Sequence, residues 1–359
     1  MYESIHAENF RCLEDLELDD VARVNLITGR NNVGKTALLE AIFLHCEPYN
    51  PSLALGLSAY RGVEEKRVTL SPRSEAPWDN IFGDFDAGRP VKVSGATRLG
   101  TYGIILESLS SREELRAVPN HIETGQQVFL ELSSRANVLR LIYEGGKAEQ
   151  PDEYYLILDA DGQRREPLPP PPPFTTHFLP ARKTIGHEEL AERYGGLQER
   201  NEEGGVLEAL RIIEPRLEAL KMVYSGSGPY LHADLGLSRT VPLPFTGEGM
   251  VRLATLAIHL ASAGGGVVLI DEVDNGLHYS VLPDVWKVIA ETAEEFDTQV
   301  FAVTHNWECI AAAHRMYAER ESYDFRLHRL ERDTEGLIRP VTCGPEALDG
   351  IVERRLEVR

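Results

Sequence analysis

Short apolar runs alternate with segments of helical periodicity along much of the chain. Runs made almost wholly of aliphatic or aromatic residues are typical of strands that are buried on both faces of a parallel sheet. Such runs lie at residues 24–27, 178–180, 267–270 and 299–303. Predominantly apolar helices are predicted over residues 37–45, 250–263 and 282–293. This order of elements predicts an α/β fold around a mixed central sheet.

The middle of the chain has a different pattern, in which short strand-like runs are separated by turn residues. They lie at residues 68–70, 91–93, 102–106, 128–132, 138–143 and 154–158. We interpret residues 62–173 as an antiparallel β subdomain that is inserted into, or layered on, the core. The five prolines at residues 169–173 form extended polyproline II, either as a stiff connector or as a docking ligand for an aromatic groove.

The remaining segments complete the predicted architecture. Two short strands around Asn9-Phe10-Arg11 predict an edge hairpin beside the core, and residues 325–330 and 337–341 predict a second hairpin. Helices are predicted over residues 188–194 and 206–223, the latter broken at a proline. Apolar residues of this region recur at helical spacing and are expected in the core, namely Leu207, Leu210, Ile213, Leu217 and Leu220. We therefore divide the chain into a main lobe, residues 1–183 and 245–359, and a helical lobe, residues 184–245.

Composition narrows the class of protein. The chain has 359 residues, of which 42% are hydrophobic, and no apolar run approaches the length that crosses a bilayer. The first residues lack the basic and apolar regions of a secretory signal. The four cysteines are widely scattered without a C-x-x-C pair. This spacing argues against a disulfide framework and a cysteine metal site, and it suits a cytoplasmic protein.

The net charge of the chain favours some binding partners over others. The formal net charge is −20, from 57 acidic and 37 basic residues. Such a charge opposes phosphate binding by the surface as a whole, although a local basic groove can survive it. Partners with basic faces are favoured, and DNA stays open as a partner.

One stretch carries a specific chemical signal. Residues 29–36 read G-R-N-N-V-G-K-T and fit the phosphate-loop pattern G-x-x-x-x-G-K-[ST], with a predicted strand before them and a predicted helix after. The glycines let backbone N–H groups turn toward phosphates, and the helix adds the positive end of its dipole. Lys35 is expected to reach the β- and γ-phosphates, and the Thr36 hydroxyl to bind Mg²⁺. We therefore predict a nucleotide-binding protein, with the nucleotide held by Asn31, Asn32, Val33, Gly34, Lys35, Thr36 and Ala37.

Two acidic residues and a histidine follow two of the predicted buried strands. Asp271 and Glu272 close the strand at residues 267–270, and ligands bind at the carboxyl ends of strands in open α/β sheets. Asp271 is expected to hold Mg²⁺, directly or through water, and Glu272 to take a proton from the attacking water. His305 follows the next buried strand and is expected at the same sheet edge, near the γ-phosphate. The alternatives are a strand-terminal acidic turn and a structural histidine.

A second glycine-containing helix start lies at Thr246-Gly247-Glu248-Gly249. Exposed amides at the start of a helix make this segment another potential phosphate site. Threonine with two glycines is also a common helix cap, so both interpretations stay open.

Together these motifs resemble the ATP-binding-cassette (ABC) ATPase heads of the SMC, RecF and OLD families. The order matches, from Asn9-Phe10-Arg11 through the phosphate loop to a signature loop at residues 246–249, the acid pair, a D-loop-like segment at residues 273–278 and a switch histidine. The Asn31-Asn32 pair and the Asn275-Gly276-Leu277-His278 run are most similar to OLD-type ATPases. The resemblance covers both ends of the chain well and residues 60–180 poorly.

The resemblance implies a head-to-tail dimer that holds two ATP molecules between its subunits. The signature loop of one subunit would cap the γ-phosphate held by Lys35 of the other. Glu272 would polarise the attacking water and His305 would sense the γ-phosphate. By the same resemblance Asn275 would cross the dimer interface, and Arg11 would lie near the nucleotide.

The chain also departs from the family pattern. Thr246 stands where the family usually has serine, which keeps the hydroxyl. No Q-loop glutamine is found after residues 178–180, where Ala181-Arg182-Lys183 follow, and Arg182 is the candidate for its place. Long coiled-coil arms and zinc-hook cysteines are absent. Only residues 306–359 follow His305, so we expect this chain to lack the Toprim nuclease domain of OLD proteins.

Three functions are compatible with the resemblance. The first is an ATPase that regulates a separately encoded effector, a nuclease, in a phage-defence or toxin-type module, which the missing nuclease and the acidic charge favour. The second is a RecF-like DNA-repair ATPase that binds DNA as an ATP-locked dimer. The third is a transporter-type ATPase subunit, against which the N-terminal Phe-Arg pattern and the D-loop argue.

Overall fold

The computed structural model describes residues 1–61, 76–116, 118–120, 128–129, 136–145, 152–159, 162–181, 185–226 and 228–354. Within this part of the chain the strands are β1 (Tyr2–Phe10), β2 (Leu13–Leu18), β3 (Val24–Gly29), β4 (Val91–Thr97), β5 (Gly100–Leu109), β6 (Pro119–Asn120), β7 (Val128–Phe129), β8 (Asn137–Gly145), β9 (Asp152–Asp159), β10 (Gly162–Glu166), β11 (Thr176–Leu179), β12 (Ala219–Ser225), β13 (Gly228–Asp234), β14 (Val241–Pro242), β15 (Val267–Ile270), β16 (Gln299–Val303), β17 (Phe325–Arg332) and β18 (Ile338–Cys343). The α-helices are α1 (Lys35–Cys46), α2 (Leu53–Tyr60), α3 (Arg112–Arg116), α4 (His187–Arg200), α5 (Glu203–Arg211), α6 (Glu248–Ser262), α7 (Leu282–Glu295), α8 (Trp307–Ala318) and α9 (Pro345–Glu353).

Six strands form the core sheet in the order β11-β15-β16-β3-β17-β18. The strands from β11 to β17 run parallel, and β18 pairs antiparallel with β17, so the sheet is mixed, as predicted. Strands β3, β15 and β16 are buried along their whole length because both faces of the sheet are covered. Their carboxyl ends lie side by side, which places the residues that follow these strands at one edge of the sheet.

The second sheet is antiparallel, with seven strands in the order β10-β9-β8-β5-β4-β1-β2. The predicted antiparallel β subdomain is therefore present, but it is continuous with the N-terminal hairpin. The hairpin of β1 and β2 lies at an edge of this sheet, as predicted, and its inner strand β1 also pairs with β4. Strand periodicity cannot show which distant segment supplies a second neighbour. The strand predicted at residues 68–70, and residues 130–132 of another, lie outside the described residues.

Helix α1 lies between the two sheets. It contacts β1 and β4 of the antiparallel sheet and β3, β15 and β16 of the core sheet. The residues from Ala37 to Cys46 are buried on every face of the helix. This environment explains why their sequence is a near-continuous apolar run rather than an amphipathic pattern. The helix that begins at the phosphate loop is thus at the centre of one of the two main hydrophobic clusters.

The opposite face of the core sheet packs against the helices of the second large cluster, to which α4, α5, α6, α7 and α8 contribute. The region between residues 185 and 245 is only partly helical, because a three-stranded sheet in the order β12-β13-β14 follows α5. The helix predicted over residues 206–223 was wrong in its second half. Pro215 cannot continue a helix, and the segment beyond it pairs in register with β13. Leu210, Leu217 and Leu220 are buried, as expected of core residues.

The connecting segments differ in how well they were predicted. The C-terminal hairpin is confirmed as β17 and β18, with Gly336 at φ 88° in the turn. Helix α2 follows α1 after a short turn, and no pattern in the sequence indicated it. Residues 169–173 are irregular and join an edge of the antiparallel sheet to an edge of the core sheet, as a connector would.

Among the described residues, no helix combines the length and the apolar character needed to span a membrane.

Candidate nucleotide-binding site

The phosphate loop joins β3 to α1, and two glycines determine its shape. Gly29 has φ 142° and Gly34, which precedes α1, has φ 90°. A Cβ atom at Gly29 would stand 2.5 Å from the carbonyl oxygen of Leu330, and one at Gly34 would stand 2.9 Å from Leu13 Cδ2. The loop therefore needs glycine both for its backbone angles and for its close packing against β17 and the N-terminal hairpin. Residues 31–37 line a cavity of about 1050 Å³, a volume sufficient for a nucleoside triphosphate.

The Lys35 side chain closes the phosphate loop through two hydrogen bonds. Its Nζ donates hydrogen bonds to the carbonyl oxygens of Gly29, at 2.8 Å, and Arg30, at 2.9 Å. Partial burial lowers the pKa of Lys35, and the carboxylates of Asp271 and Glu272 oppose this shift. The ammonium group thus stands between the loop and the acid pair, where it can exchange carbonyl oxygens for phosphate oxygens.

Thr36 and Asp271 form the candidate Mg²⁺ site. The Thr36 hydroxyl lies 3.2 Å from both carboxylate oxygens of Asp271. Burial raises the pKa of this carboxyl, and the hydrogen bond from Thr36 partly offsets the shift. A cation beside the carboxylate would favour its charged form. These two oxygen donors fit Mg²⁺, which is usually held by one or two protein oxygens together with phosphate oxygens and water.

Glu272 and His305 extend the same edge of the site. Both line the cavity, Glu272 half-buried after β15 and His305 exposed after β16. Glu272 has φ 48°, a left-handed backbone conformation that costs a residue other than glycine about 1–2 kcal/mol. Strain of this kind is concentrated at functional sites. The backbone carbonyl of Glu272 accepts a hydrogen bond from Arg252 Nη2 of helix α6 at 3.1 Å, which holds the strained residue in place.

Arg11 and Arg61 converge on one buried carboxylate, that of Glu40. Glu40 lies one helical turn after the phosphate loop, and its side chain is fully buried. Arg61 donates from Nε and Nη2 to its two oxygens at 2.8 and 2.7 Å, and Arg11 Nε lies 3.0 Å from Oε2. Arg11 Nη2 is buried without a hydrogen-bond partner among the described residues. Arg11 and Arg61 both line the cavity, so this charged cluster forms part of its wall.

The other walls of the cavity come from three segments. The end of α2 and the segment that precedes β4 contribute Tyr60, Asn80, Phe82, Asp84 and Phe85. The end of β11 and the residues after it contribute Phe178, Pro180 and Ala181. The cavity therefore reaches from the acid pair of the core sheet to a wall built on the antiparallel sheet.

The signature loop and Asn275 are not brought to this cavity within one chain. Glu248 begins α6 and Gly247, with φ 108°, precedes it. Neither residues 246–249 nor Asn275 are among the described residues that line the cavity. The Thr246 hydroxyl donates to the Leu243 carbonyl at 2.7 Å, and Asn275 Nδ2 lies 3.5 Å from the Ala181 carbonyl oxygen. The proposed Q-loop substitute, Arg182, lies outside the described residues.

Sequence reasoning missed Glu40, Arg61 and the aromatic wall. A single carboxylate inside the apolar run of α1 was a usable signal, because a buried charge must be paired. No signal identified Arg61, which is separated from Glu40 by helix α2. Phe85 lies in the segment that the family resemblance covers poorly.

Comparisons with known proteins identify the family and the fold of the chain. A family model described as "AAA domain, putative AbiEii toxin, Type IV TA system" matches residues 103–310, and an AAA ATPase domain model matches residues 1–78. A Helicobacter pylori protein named ATP/GTP phosphatase is 20% identical over 357 residues, which is 94% of each chain. RecF of Listeria innocua is 29% identical over 215 residues, covering 60% of this chain but only 47% of RecF.

A solved SMC head, bound to the C-winged helix domain of ScpA, superposes with a TM-score of 0.50 at 13% identity and covers 98% of this chain and 99% of its own. At such identity this likeness concerns the fold, and it agrees with the two sheets described above. The first family model spans more than half of the chain. This chain therefore belongs to the AAA-domain family described as putative AbiEii toxin of type IV toxin–antitoxin systems, and its fold is that of an SMC- and RecF-type ATPase head.

Proposed function

We propose that this protein hydrolyses ATP to ADP and phosphate between two copies of the chain, and that the ATP-bound dimer regulates a separately encoded effector, a nuclease of a phage-defence or toxin-type module. The observation that carries the proposal is the division of the site into two parts. The cavity holds the phosphate loop, the acid pair and His305, while the signature loop lies outside it.

Within one chain the residues of the cavity have separate tasks. The amides of residues 31–37 and the Lys35 ammonium hold the phosphates, and Arg11 binds a phosphate oxygen. Thr36 and Asp271 hold Mg²⁺, which when bound neutralises developing charge on the phosphates. Glu272 accepts a proton from the attacking water, and His305 donates a hydrogen bond to the γ-phosphate. This assignment does not use the signature loop, which is not among the described residues that line the cavity.

A second copy of the chain can bring its signature loop to the γ-phosphate. The N-terminus of α6 presents Gly247 and Gly249, its first amides have no side-chain cap among the described residues, and the positive end of the helix dipole there suits a phosphate. Two large exposed side chains flank the residues concerned: Phe245 is 80% exposed beside the signature loop and Tyr279 is 65% exposed beyond Asn275. Exposed aromatic residues are typical anchors of interfaces. A head-to-tail dimer would bury them and complete two sites at once.

The net charge of the chain and the family that it matches both support a protein effector. The net charge of −20 favours a partner with a basic face. The description of the matched family as a putative toxin, and the OLD-like Asn31-Asn32 pair, support a toxin or defence module. The alternative is a RecF-like repair ATPase, which the similarity to RecF over 215 residues favours. It requires DNA binding that depends on ATP and weakens steeply with salt.

The dimer and the chemistry are tested by two substitutions. Glu272→Gln keeps the shape of the side chain but not its basicity, so we expect it to bind ATP, to lose hydrolysis and to double its mass with Mg-ATP in light scattering. Lys35→Ala removes the phosphate contact and should weaken ATP binding by roughly 100-fold. With Mg-ATP this variant should therefore keep the mass that it has without nucleotide. Lys287→Ala, an exposed lysine of α7, serves as the control. Wild-type turnover of Glu272→Gln would place the base elsewhere, and an unchanged mass would contradict the dimer.

The effector is tested by isolating the trapped state. The Glu272→Gln protein is tagged in its native host and purified with Mg-ATP after nuclease treatment. We expect a stoichiometric nuclease that is absent from the Lys35→Ala purification. Recovery of repair factors, or ATP-dependent and salt-sensitive binding to duplex DNA, would favour the RecF-like alternative instead.

A further inference from the structure

Phe85 is an exposed aromatic residue inside the nucleotide cavity. Its side chain is 67% exposed, yet it lines the same cavity as Lys35 and Arg11. Its neighbour Phe82 also lines the cavity, but only 1% of that residue is exposed. The segment thus buries one phenylalanine as an anchor and presents the other to the space that the ligand occupies.

The backbone that presents Phe85 is strained. Asp84 has φ 53° and Phe85 has φ 59°, so two consecutive residues other than glycine adopt the left-handed conformation. This conformation is unfavourable for a bulky aromatic residue. An exposed side chain gains little burial in return, so the fold of the free chain does not explain why phenylalanine stands here. Strain without a packing benefit points to a role in binding.

The surrounding contacts hold this turn rigidly beside Arg11. The Arg11 amide donates to the Ile81 carbonyl at 2.8 Å, and Phe10 forms a β-bridge with Phe82. Asn9 Nδ2 donates to the carbonyl of Arg89 at 2.8 Å, at the other end of the turn. These contacts join the segment that carries Phe85 to the hairpin that carries Arg11.

We propose that Phe85 is the platform on which the base of the bound nucleoside triphosphate stacks. The inference rests on the proposed function, because it takes the phosphates to be bound at Lys35 and Thr36. Glu272 and His305 receive the γ-phosphate at the ends of β15 and β16 of the core sheet. The base then extends toward the wall carried by the antiparallel sheet, where Phe85 stands.

The chemistry of stacking defines the substrate class. A phenylalanine ring contacts the face of a base rather than its hydrogen-bonding edge, so it distinguishes poorly between adenine and guanine. Purines offer a larger face than pyrimidines and stack more strongly. The site therefore takes purine nucleoside triphosphates, ATP and GTP alike, in preference to UTP and CTP.

Calorimetry with ATP, GTP, UTP and inorganic tripolyphosphate separates base binding from phosphate binding. We expect Phe85→Ala to lower the affinity for ATP and GTP by about 10- to 100-fold and to leave the affinity for tripolyphosphate unchanged. Phe85→Trp should retain or improve ATP binding. Tyr224→Ala, which removes a 76% exposed aromatic residue from the β12 strand, should change neither affinity.

A second variant tests the strained backbone conformation of Phe85. Asparagine tolerates the left-handed conformation, so Phe85→Asn should raise the melting temperature of the nucleotide-free protein while it weakens ATP binding as Phe85→Ala does. Unchanged ATP affinity in both variants, or an equal loss of tripolyphosphate binding, would overturn the proposal. If Lys35→Ala left tripolyphosphate binding intact, the phosphate site itself would be misassigned, which is a distinct failure.

Discussion

Gly34 shows how single residues of the loop are constrained. It adopts φ 90°, and a Cβ atom there would meet Leu13 Cδ2 at 2.9 Å and Cys12 Sγ at 3.0 Å. Two separate penalties, backbone strain and a steric clash, therefore oppose any side chain at this position. The glycine that the phosphate-loop motif requires for its ligand is also required by the packing of the N-terminal hairpin.

We predict that Gly34→Ala lowers the free energy of unfolding of the nucleotide-free protein by about 1–3 kcal/mol, because both penalties act in the folded state only. Urea denaturation followed by circular dichroism measures the change. Gly56→Ala is the matched control, since Gly56 lies inside helix α2 with no heavy atom within 4 Å of the added Cβ. It should raise stability by about 0.5–1 kcal/mol. Equal effects of the two substitutions would contradict this account of Gly34.

Motif residues were predictable because their chemistry is local. Lys35 and Thr36 follow from the loop pattern alone, and the structure places Thr36 beside Asp271, 235 positions away. Their roles toward ATP and Mg²⁺ stay predictions. Arg61 was not predictable, since an arginine at the end of a short helix carries no signal until the fold brings it to Glu40.

At the scale of elements, helix α1 connects the ligand site to the core. It begins at the phosphate loop, is buried on every face and carries Glu40 one turn further along. Because Glu40 binds both Arg11 and Arg61, the helix also ties the N-terminal hairpin and α2 to the site. A carboxylate in such a helix is tolerated only because both guanidinium groups balance its charge.

Removing that carboxylate should destabilise the protein strongly. We predict that Glu40→Ala lowers the free energy of unfolding by about 3–5 kcal/mol, because it leaves the Arg11 guanidinium buried without a counter-charge. The contribution of Arg61 is smaller, since its side chain is 41% exposed. Glu40→Gln keeps hydrogen-bond acceptors and should cost less.

Chemical denaturation measures both variants. Glu214→Ala, which breaks the pair of a half-buried glutamate with the exposed Arg216, is the control and should lower stability by no more than about 1 kcal/mol. A change in Glu40→Ala as small as that of the control would show that the carboxylate is not the centre of the cluster. Arg11→Met should partly restore the stability of Glu40→Ala, because it removes the unpaired charge.

At the scale of the whole molecule, three of the buried histidines make stability depend on pH. They lie on α1, β11 and β17 and so belong to different parts of the fold. Burial lowers the pKa of His45 and His328 to about 4, and burial together with the Arg193 guanidinium lowers the pKa of His177 to about 3. Each is therefore neutral in the folded protein at pH values where the unfolded chain binds a proton.

Because these pKa values are lowered, the free energy of unfolding decreases as the pH decreases. The unfolded chain takes up protons below its ordinary histidine pKa of about 6.5, so stability is complete above that pH and falls as the pH decreases toward 4. We predict a loss of about 1 kcal/mol for each of these histidines between pH 7 and pH 5.5. Glu189, whose pKa is lowered to about 2 by the His259 imidazole 4.0 Å away and by hydrogen bonds from Arg193, loses its contribution only below pH 4.5 and does not interfere.

Urea denaturation at pH 7, 6.25 and 5.5 measures this slope. His45→Gln should reduce it by about a third, the share of one histidine among three. His187→Gln, at an exposed position at the start of α4, should leave it unchanged. A slope that is the same in all three proteins would show that the buried histidines are not its source.

The sequence by itself determined the strand–loop–helix unit, the buried strands with the acid pair and His305 at their ends, and the α/β class. These features depend on local patterns and on one rule, that the carboxyl ends of parallel strands meet at one edge. Tertiary structure decided the place of β1 inside the antiparallel sheet, the strand character of residues 219–225, the pairing of Glu40 with two arginines and the aromatic wall at Phe85. Each of these joins segments far apart in the chain. Periodicity describes only which face of a segment is buried, so the partner that covers it is chosen when the whole core packs.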